Sequence, residues 1–186
     1  MADIKKYTEL SEETVSSELV YDGKLLKVHK DTVRMPDGAL KTREYIRHIG
    51  AVCVIPVTDD DRVILVRQFR YPFHDVITEV PAGKLDSPKE ERLNTARREL
   101  LEETGLTADE FIPLGGLYTS VAYSNEYISI YMARGLHQQD QKLDDGEFLN
   151  VFSMPLNELL ERVMAGEIPD PKTQIAVLKA ARFFGM

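Results

Sequence analysis

The sequence of 186 residues predicts an α/β protein that is preceded by an N-terminal segment of antiparallel strands. Short apolar runs typical of strands occur both before and after one glutamate-rich amphipathic helix, and two further helices follow near the carboxyl end. Ahead of all these elements, three strand-like runs are separated by turn signals. Three strands bury little apolar surface by themselves, so this segment is expected to need a larger body or a second subunit.

The N-terminal segment, residues 1–48, is expected to begin with a polar, frayed stretch of about 16 residues. The strands predicted after it are 19–21, 25–34 and 39–46, with Asp22-Gly23 and Pro36-Asp37-Gly38 as the turns between them. Residues 49–186 are expected to form the main domain. Its predicted strands are 51–57, 62–69, 76–80, 111–118, 126–133 and 147–154.

Two helices are predicted after the last strand. The first covers residues 155–165 and is ended by Gly166, and the second is capped by Asp170-Pro171. The apolar positions of the second helix include Ile175, Leu178 and Phe183.

The glutamate-rich helix carries the clearest boundary signals of the chain. Ser87 is a favourable N-cap, Pro88 suits the first helical position, and Glu90 completes an S-x-x-E capping box. Gly105 is placed to end the helix in a left-handed conformation. We therefore expect this helix to begin at Pro88 and to stop before Gly105.

Three carboxylates on this helix are unfavourable for its stability. Glu99, Glu102 and Glu103 lie at i, i+3 and i+4 in the last turn, so they project together. Like charges at this spacing cost roughly 0.2–0.5 kcal/mol per pair, and the helix dipole adds roughly 0.3–1 kcal/mol for each. A hard divalent cation would reverse the sign of these terms. The alternative is a solvated acidic face that Arg97 and Arg98 partly neutralise.

The net charge, the cysteine content and the length of the apolar runs argue against several classes of protein. The net charge of −8 argues against binding to nucleic acid or to anionic membranes, which favour basic patches. The single cysteine allows no internal disulfide and fits a reducing compartment. No apolar run approaches the length of a membrane span, and the start shows no signal peptide, so the cytoplasm is the expected location.

The stretch from Gly83 to Leu106 resembles the signature of the Nudix hydrolases, G-x5-E-x7-R-E-U-x-E-E-x-G-U, in which U is aliphatic. The chain reads R-E-L-L-E-E-T-G-L at residues 98–106, with Glu90 eight residues before Arg98. Six residues instead of five separate Gly83 from Glu90, in a loop where insertions are tolerated. The resemblance implies an α/β/α sandwich around a mixed sheet.

Further motifs resemble the ADP-ribose pyrophosphatase branch of this family. They are R-E-Y-I-R-H at 43–48, Q-F-R at 68–70 and E-V-P-A-G-K at 79–84, together with the strand-rich N-terminal segment. The resemblance implies Mg²⁺-dependent hydrolysis of ADP-ribose to AMP and ribose 5-phosphate, with Mn²⁺ as a possible substitute. It also implies a homodimer. Another nucleoside diphosphate sugar, such as GDP-mannose, stays open as the substrate, and so does a sensor that binds ADP-ribose without cleaving it.

The same resemblance implies roles for individual residues. The metal ligands would be Glu99, Glu102, Glu103 and the backbone carbonyl of Ala82, and Glu102 would also take part in catalysis. The structural part of the signature would be Gly83, Glu90, Arg98 and Gly105, with Glu90 paired to Arg98. Glu90 has the capping box as an alternative role.

The general base and the substrate contacts are expected outside the signature. Glu147, in the acidic loop 142–147, is the expected base, with Asp144 or Asp145 as alternatives and the start of a strand as its structural alternative. Arg70 and Arg43 are expected to contact substrate, although a surface ion pair is the ordinary role of such an arginine. Glu126 matches the glutamate of a family loop, S-P-G-x-x-x-E, which reads S-V-A-Y-S-N-E here. The missing Pro-Gly leaves the choice of sugar open.

Overall fold

The computed structural model describes residues 7–143, 146 and 148–186. It divides into two compact units. The N-terminal unit comprises Met1–His48 and Ser120–Glu126, and the main unit comprises Ile49–Thr119 and Tyr127–Met186. Among the described residues, no helix is both long and apolar enough to cross a bilayer.

The N-terminal unit is built on an antiparallel sheet of order β1-β2-β3. The strands are β1 (Glu13–Asp22), β2 (Lys27–Arg34) and β3 (Leu40–Ile46). The predicted antiparallel segment is thus confirmed, but the expectation of a frayed start up to residue 16 is wrong. β1 begins at Glu13 because it pairs with β2 along its whole length, from Glu13 opposite Arg34 to Asp22 opposite Lys27.

Two sheets of the main unit are present in the described part of the chain. Their strands are β4 (Ala51–Pro56), β5 (Arg62–Arg70), β6 (Asp75–Glu79), β7 (Ala82–Lys84), β8 (Leu106–Tyr118), β9 (Tyr127–Gln138) and β10 (Leu149–Pro155). The four-stranded sheet has the order β7-β4-β9-β8 and is mixed, because β4 and β9 run parallel while the other pairs are antiparallel. The three-stranded sheet, β10-β5-β6, is antiparallel.

Helices cover both faces of β4, which explains its uninterrupted apolar run. The helices are α1 (Arg92–Thr104), α2 (Leu156–Met164) and α3 (Pro171–Phe183). Val52 and Val54 join one core cluster with Leu100 of α1. Cys53 and Ile55, which face the other way along the strand, join a cluster with buried apolar side chains of α2 and α3, such as Leu159 and Val177. The predicted α/β/α layering around a mixed sheet is confirmed.

The predicted start of the glutamate-rich helix is wrong. α1 begins at Arg92, and Glu91 occupies the N-cap position without a side-chain capping bond. Ser87 and Glu90 instead close a turn, in which the Glu90 N–H donates to the Ser87 carbonyl at 3.1 Å. The Glu90 carboxylate accepts the backbone N–H of Asp86 at 2.5 Å, whereas a capping box would direct it to the N–H of Ser87. The predicted end is correct, since Gly105 adopts the left-handed conformation with φ 68°.

Candidate active site

Strand β7 brings the segment before α1 against two of the helix carboxylates. The backbone N–H of Ala82 donates to Glu103 Oε2 at 3.2 Å. A Cβ atom on Gly83 would lie 1.9 Å from the Glu99 carboxylate, so only glycine leaves room for that side chain. β7 is fixed in place by its antiparallel pairing with β4, in which Ala82 lies opposite Cys53. The sequence predicts a loop from Gly83 onwards, and the structure shows that Gly83 and Lys84 belong to strand β7.

Glu99 and Glu103 are buried, with 9% and 5% of their surface exposed. Glu102 is half-buried on the same helix. Arg98 joins two of the three carboxylates, since its Nη1 donates to Glu99 Oε1 at 2.8 Å and to Glu102 Oε2 at 3.0 Å. Burial lowers the pKa of the Arg98 guanidinium, but the charges of Glu99 and Glu102 outweigh it, so the pKa lies above its usual value.

Arg98 also holds the loop that precedes α1. Its Nη2 donates to the Lys84 carbonyl at 3.1 Å, and its Nε lies 3.6 Å from Glu90 Oε1 and 3.7 Å from Asp86 Oδ2. Glu90 and Arg98 therefore lie together, as the signature implies. The stretch from Gly83 to Glu90, which carries the extra residue, is closed by the hydrogen bond from the Asp86 N–H to the Glu90 carboxylate.

The donor atoms around β7 and the end of α1 suit a hard divalent cation. Carboxylate and carbonyl oxygens are the ligands that Mg²⁺ prefers, and the space at Gly83 admits the Glu99 carboxylate next to the backbone of β7. Among the described residues, no group of three or more His, Cys, Asp or Glu side chains has the geometry of a closed metal site. Glu99 and Glu102 share Arg98 instead. The residues thus carry donor atoms of the kind that the cation prefers, and two of the three carboxylates are held by the Arg98 guanidinium.

A buried ionic cluster on the main unit contains Arg70. Its guanidinium forms a bidentate pair with Glu79, with Nε–Oε1 2.6 Å and Nη2–Oε2 2.7 Å. Glu79 is only 2% exposed and also accepts a hydrogen bond from Lys172. Burial raises the pKa of Glu79, but the Arg70 and Lys172 cations outweigh this effect and hold the pKa below its usual value. Arg70 therefore has a buried partner, Glu79, and not the surface ion pair that was the alternative to a substrate contact.

Beside this cluster lies a cavity of about 120 Å³. Its lining residues are Arg70, Phe73, Ile77, Glu79, Pro169, Asp170 and Pro171. The pKa of Arg70 is raised first by its hydrogen bonds to Glu79, against burial, and the charges of Asp170 and Glu103 add to the increase. Glu103 of α1 and Asp170 thus both act electrostatically on the Arg70 guanidinium, which lines this cavity.

Sequence reasoning did not assign a role to Glu79 or to Lys172. Glu79 belongs to the E-V-P-A-G-K motif, and Lys172 stands two positions after Asp170, the capping residue of α3. The two residues are 93 positions apart, and no local spacing links them. A buried Glu at a strand end and a Lys at a helix start would each have been expected on the surface.

The remaining candidates belong to the N-terminal unit or to residues that the structure does not describe. Arg43 and Glu126 belong to the N-terminal unit, where Arg43 forms a bidentate pair with Glu12 (Nε–Oε2 2.9 Å, Nη2–Oε1 2.5 Å). The Glu126 carboxylate lies 3.6 Å from His48 Nε2. The expected base Glu147 and its alternatives, Asp144 and Asp145, lie outside the described residues.

Comparison with known proteins agrees with the fold and with the signature helix. Residues 47–173 match the family model described as NUDIX domain, and residues 12–46 match the nucleoside diphosphate sugar hydrolase N-terminal domain. An ADP-ribose pyrophosphatase of Bacillus subtilis (strain 168) is 38% identical over 170 residues, which cover 90% of this chain and 91% of that protein.

A second relative and a solved structure extend this comparison. A methanol dehydrogenase activator of Bacillus methanolicus is 38% identical over 168 residues, which cover 89% of this chain and 90% of the relative. A crystal structure of an ADP compounds hydrolase superposes with a TM-score of 0.80 at 23% identity, over 95% of this chain and 96% of that one, which shows the shared fold. Because the NUDIX domain model covers more than half of the sequence and these relatives align along most of it, the chain belongs to the Nudix hydrolase family.

Proposed function

We propose that this protein hydrolyses the pyrophosphate bond of ADP-ribose with Mg²⁺, to give AMP and ribose 5-phosphate. The observation that carries the proposal is the placement of the buried Glu99 and Glu103 carboxylates against the backbone of β7. The match of residues 12–46 to an N-terminal domain of nucleoside diphosphate sugar hydrolases supports this substrate class, and so does the B. subtilis relative. The B. subtilis and B. methanolicus relatives have the same identity to this chain but different names. The choice of activity therefore rests on the residues of the site.

The reaction adds the oxygen of a water molecule to one phosphorus and breaks the bond from that phosphorus to the bridging oxygen. The diphosphate is negatively charged and repels hydroxide, so the site must supply positive charge, a positioned water and a base. A bound Mg²⁺ or Mn²⁺ would neutralise the diphosphate and lower the pKa of water. Glu99, Glu102, Glu103 and the Ala82 carbonyl would hold the cation. Arg98 would orient Glu99 and Glu102, and Arg70 would donate to the substrate phosphates.

Glu147 is the proposed base that removes the proton from the attacking water. We expect Glu147→Gln to lower kcat by about a hundredfold, a typical loss when a general base is removed, and to leave KM for ADP-ribose within about twofold. Steady-state kinetics at saturating Mg²⁺ measures both values. Asp140→Asn, at an exposed position seven residues earlier, is the control and should behave as the wild type. An unchanged kcat for Glu147→Gln, with a loss for Asp144→Asn or Asp145→Asn, would assign the base to one of those residues.

The N-terminal segment, residues 1–48, is proposed to serve dimerisation and substrate binding, with Arg43 and Glu126 as substrate contacts. Strand β1 supports a homodimer, because it is exposed along its whole length and carries apolar side chains such as Val15, Leu19 and Val20. Light scattering at micromolar concentration tests this assembly, and a monomeric mass would contradict it. No nucleic-acid or membrane partner is proposed, and the proposed location is the cytoplasm.

Another nucleoside diphosphate sugar is the second candidate substrate. It is favoured by one observation, the sequence S-V-A-Y-S-N-E at 120–126, which lacks the Pro-Gly of the family loop. GDP-mannose is the test case for this alternative.

Product analysis on a substrate panel tests the proposed function. The panel contains ADP-ribose, GDP-mannose, ADP-glucose, NADH and diadenosine polyphosphates, each with and without Mg²⁺. We expect metal-dependent release of AMP that is fastest from ADP-ribose. Faster turnover of another diphosphate would keep the chemistry and change the specificity. Binding of ADP-ribose without turnover of any compound would identify a sensor and contradict the proposal.

A further inference from the structure

We infer that Lys172 is a positioning residue that holds Arg70 in place for the substrate phosphates through the buried carboxylate of Glu79. The inference rests on the proposed function, since it assumes that Arg70 donates to the diphosphate. Lys172 lies in the first turn of α3, and its side chain is 10% exposed. In the proposed role it acts on Arg70 through Glu79, whose carboxylate contacts both cations.

The contacts around Lys172 form a closed ring. Its Nζ donates to Glu79 Oε2, the same oxygen that accepts from Arg70 Nη2, and it lies 2.9 Å from Asp170 Oδ1. The other carboxylate oxygen of Asp170 accepts the backbone N–H of Thr173 at 2.9 Å, which caps α3. Thr173 Oγ1 in turn accepts the backbone N–H of Val80, the residue next to Glu79, at 2.9 Å. Both the side chain and the backbone at the end of β6 are therefore held by the first turn of α3.

If Lys172 were absent, the buried Glu79 carboxylate would depend on Arg70 for its cationic partner. A buried carboxylate is costly unless it is paired with a cation and hydrogen-bonded. With Lys172 present, Glu79 keeps a positive partner while the Arg70 guanidinium also attracts a substrate phosphate. Without it, the phosphate would compete directly with Glu79 for the same guanidinium.

The geometry of the pair leaves donors of Arg70 for a second anion. A guanidinium carries five N–H donors in a fixed plane, and the bonds to Glu79 use one on Nε and one on Nη2. The bidentate pair fixes the orientation of that plane, so the other donors point in a defined direction. Because the cavity of about 120 Å³ is lined by Arg70, Glu79 and Asp170, the ring also forms one wall of this space.

A double-mutant cycle between Lys172 and Arg70 tests the inference. Lys172→Met removes the charge with similar length, and we expect it to raise KM for ADP-ribose about tenfold and to change kcat by less than about twofold. In an Arg70→Ala background the same substitution should change KM by less than about twofold, because no guanidinium remains to be positioned. An equal rise of KM in both backgrounds would contradict the inference.

Two further variants separate positioning from a purely structural role. Lys172→Arg keeps the cation and should retain a lower KM than Lys172→Met. Lys179→Met changes the same residue type on the same helix, where the exposed Nζ donates to the Leu114 carbonyl at 2.7 Å, and it should leave KM unchanged. Circular dichroism confirms folding of each variant, and a fall in kcat with unchanged KM in Lys172→Met would indicate a structural role and contradict the inference.

Turnover of ADP-ribose by the wild type is measured first. This measurement distinguishes a failure of the proposed hydrolase function from a failure of the positioning role of Lys172. If the wild type does not cleave ADP-ribose, the proposed function is wrong. The cycle is then measured as the dissociation constant of ADP-ribose by calorimetry. Non-additive changes between positions 70 and 172 would still support the positioning role, and additive changes would contradict it.

Discussion

Replacement of Glu103 by glutamine is expected to reduce kcat for ADP-ribose about a thousandfold while the protein stays folded. A metal ion in such a site is worth several kcal/mol of transition-state stabilisation, and a loss of about 4 kcal/mol corresponds to a thousandfold in rate. Glutamine has the same shape, and its carbonyl oxygen can still accept the Ala82 N–H. The loss would therefore come from the missing charge and not from the missing hydrogen bond.

Stability should change in the opposite direction. Without metal, Glu103→Gln removes one like-charge pair from the last turn of α1, which is worth roughly 0.2–0.5 kcal/mol. The free energy of unfolding should therefore stay equal or rise slightly. Mg²⁺ should raise the melting temperature of the wild type and have a smaller effect on the variant, because a ligand stabilises only the state that binds it.

The matched control is Glu161→Gln, at an exposed position of α2. It makes the same chemical change away from β7 and should alter neither kcat nor the response to Mg²⁺. Full turnover by Glu103→Gln at saturating Mg²⁺ would exclude Glu103 as an essential ligand.

Gly83→Ala is expected to lower kcat about a hundredfold, the loss that follows when a catalytic group is displaced by about 1 Å. The new methyl group would lie 1.9 Å from the Glu99 carboxylate, so Glu99 must move. The atoms in conflict belong to the end of a flexible side chain, so the free energy of unfolding should fall by less than about 1 kcal/mol. Kinetics and urea unfolding on the same preparation measure both effects.

Gly166→Ala provides the reverse pattern as a control. Gly166 has φ 77°, and a Cβ atom there would meet nothing within 4 Å. Alanine in this left-handed conformation costs about 1–2 kcal/mol, so stability should fall while kcat is unchanged.

The double variant Gly83→Ala with Glu99→Asp tests the cause of the loss. Aspartate is one methylene shorter and leaves space for the alanine methyl group. We therefore expect the double variant to be no slower than Glu99→Asp alone. If the losses of kcat from the two single substitutions multiplied in the double variant, Gly83 would act by a route other than its contact with Glu99.

The end of α1 and its carboxylates could be predicted because the information is local. Glu99, Glu102 and Glu103 share one helix face by their spacing alone, and Gly105 ends the helix by a conformation that glycine favours. The cap of α3 is equally local, since Asp170 accepts the N–H of a residue only three positions later. In each case the interacting atoms lie within one turn of the chain.

The start of α1 shows how a tertiary contact overrides a local rule. Ser87, Pro88 and Glu90 form a sound capping pattern, yet Glu90 is bound to the Asp86 N–H and lies near Arg98. The charge of Arg98 and the loop hydrogen bond together compete with a single capping bond. The helix therefore begins four residues later than its sequence suggested.

Helix α3 shows that the local sequence also does not determine which side chains of a helix are buried. Its large apolar residues suggested a packing face, but Leu178 and Phe183 are 42% and 55% exposed. The buried apolar positions are Ala176, Val177, Ala180 and Ala181. Small side chains allow the helix to pack closely against its neighbours. The hydrophobicity of the residues does not by itself show which face of the helix packs so closely.

The sequence by itself determined the fold class, the family signature and the three carboxylates, because repeating patterns and contacts within one helix turn carry that information. The tertiary structure alone decided that β7 is a strand against Glu99 and that Arg70, Glu79 and Lys172 share one buried cluster. These partners lie far apart in the chain, and no periodicity connects them. Their association depends on which surfaces the core brings together, a property of the packed molecule and not of any single segment.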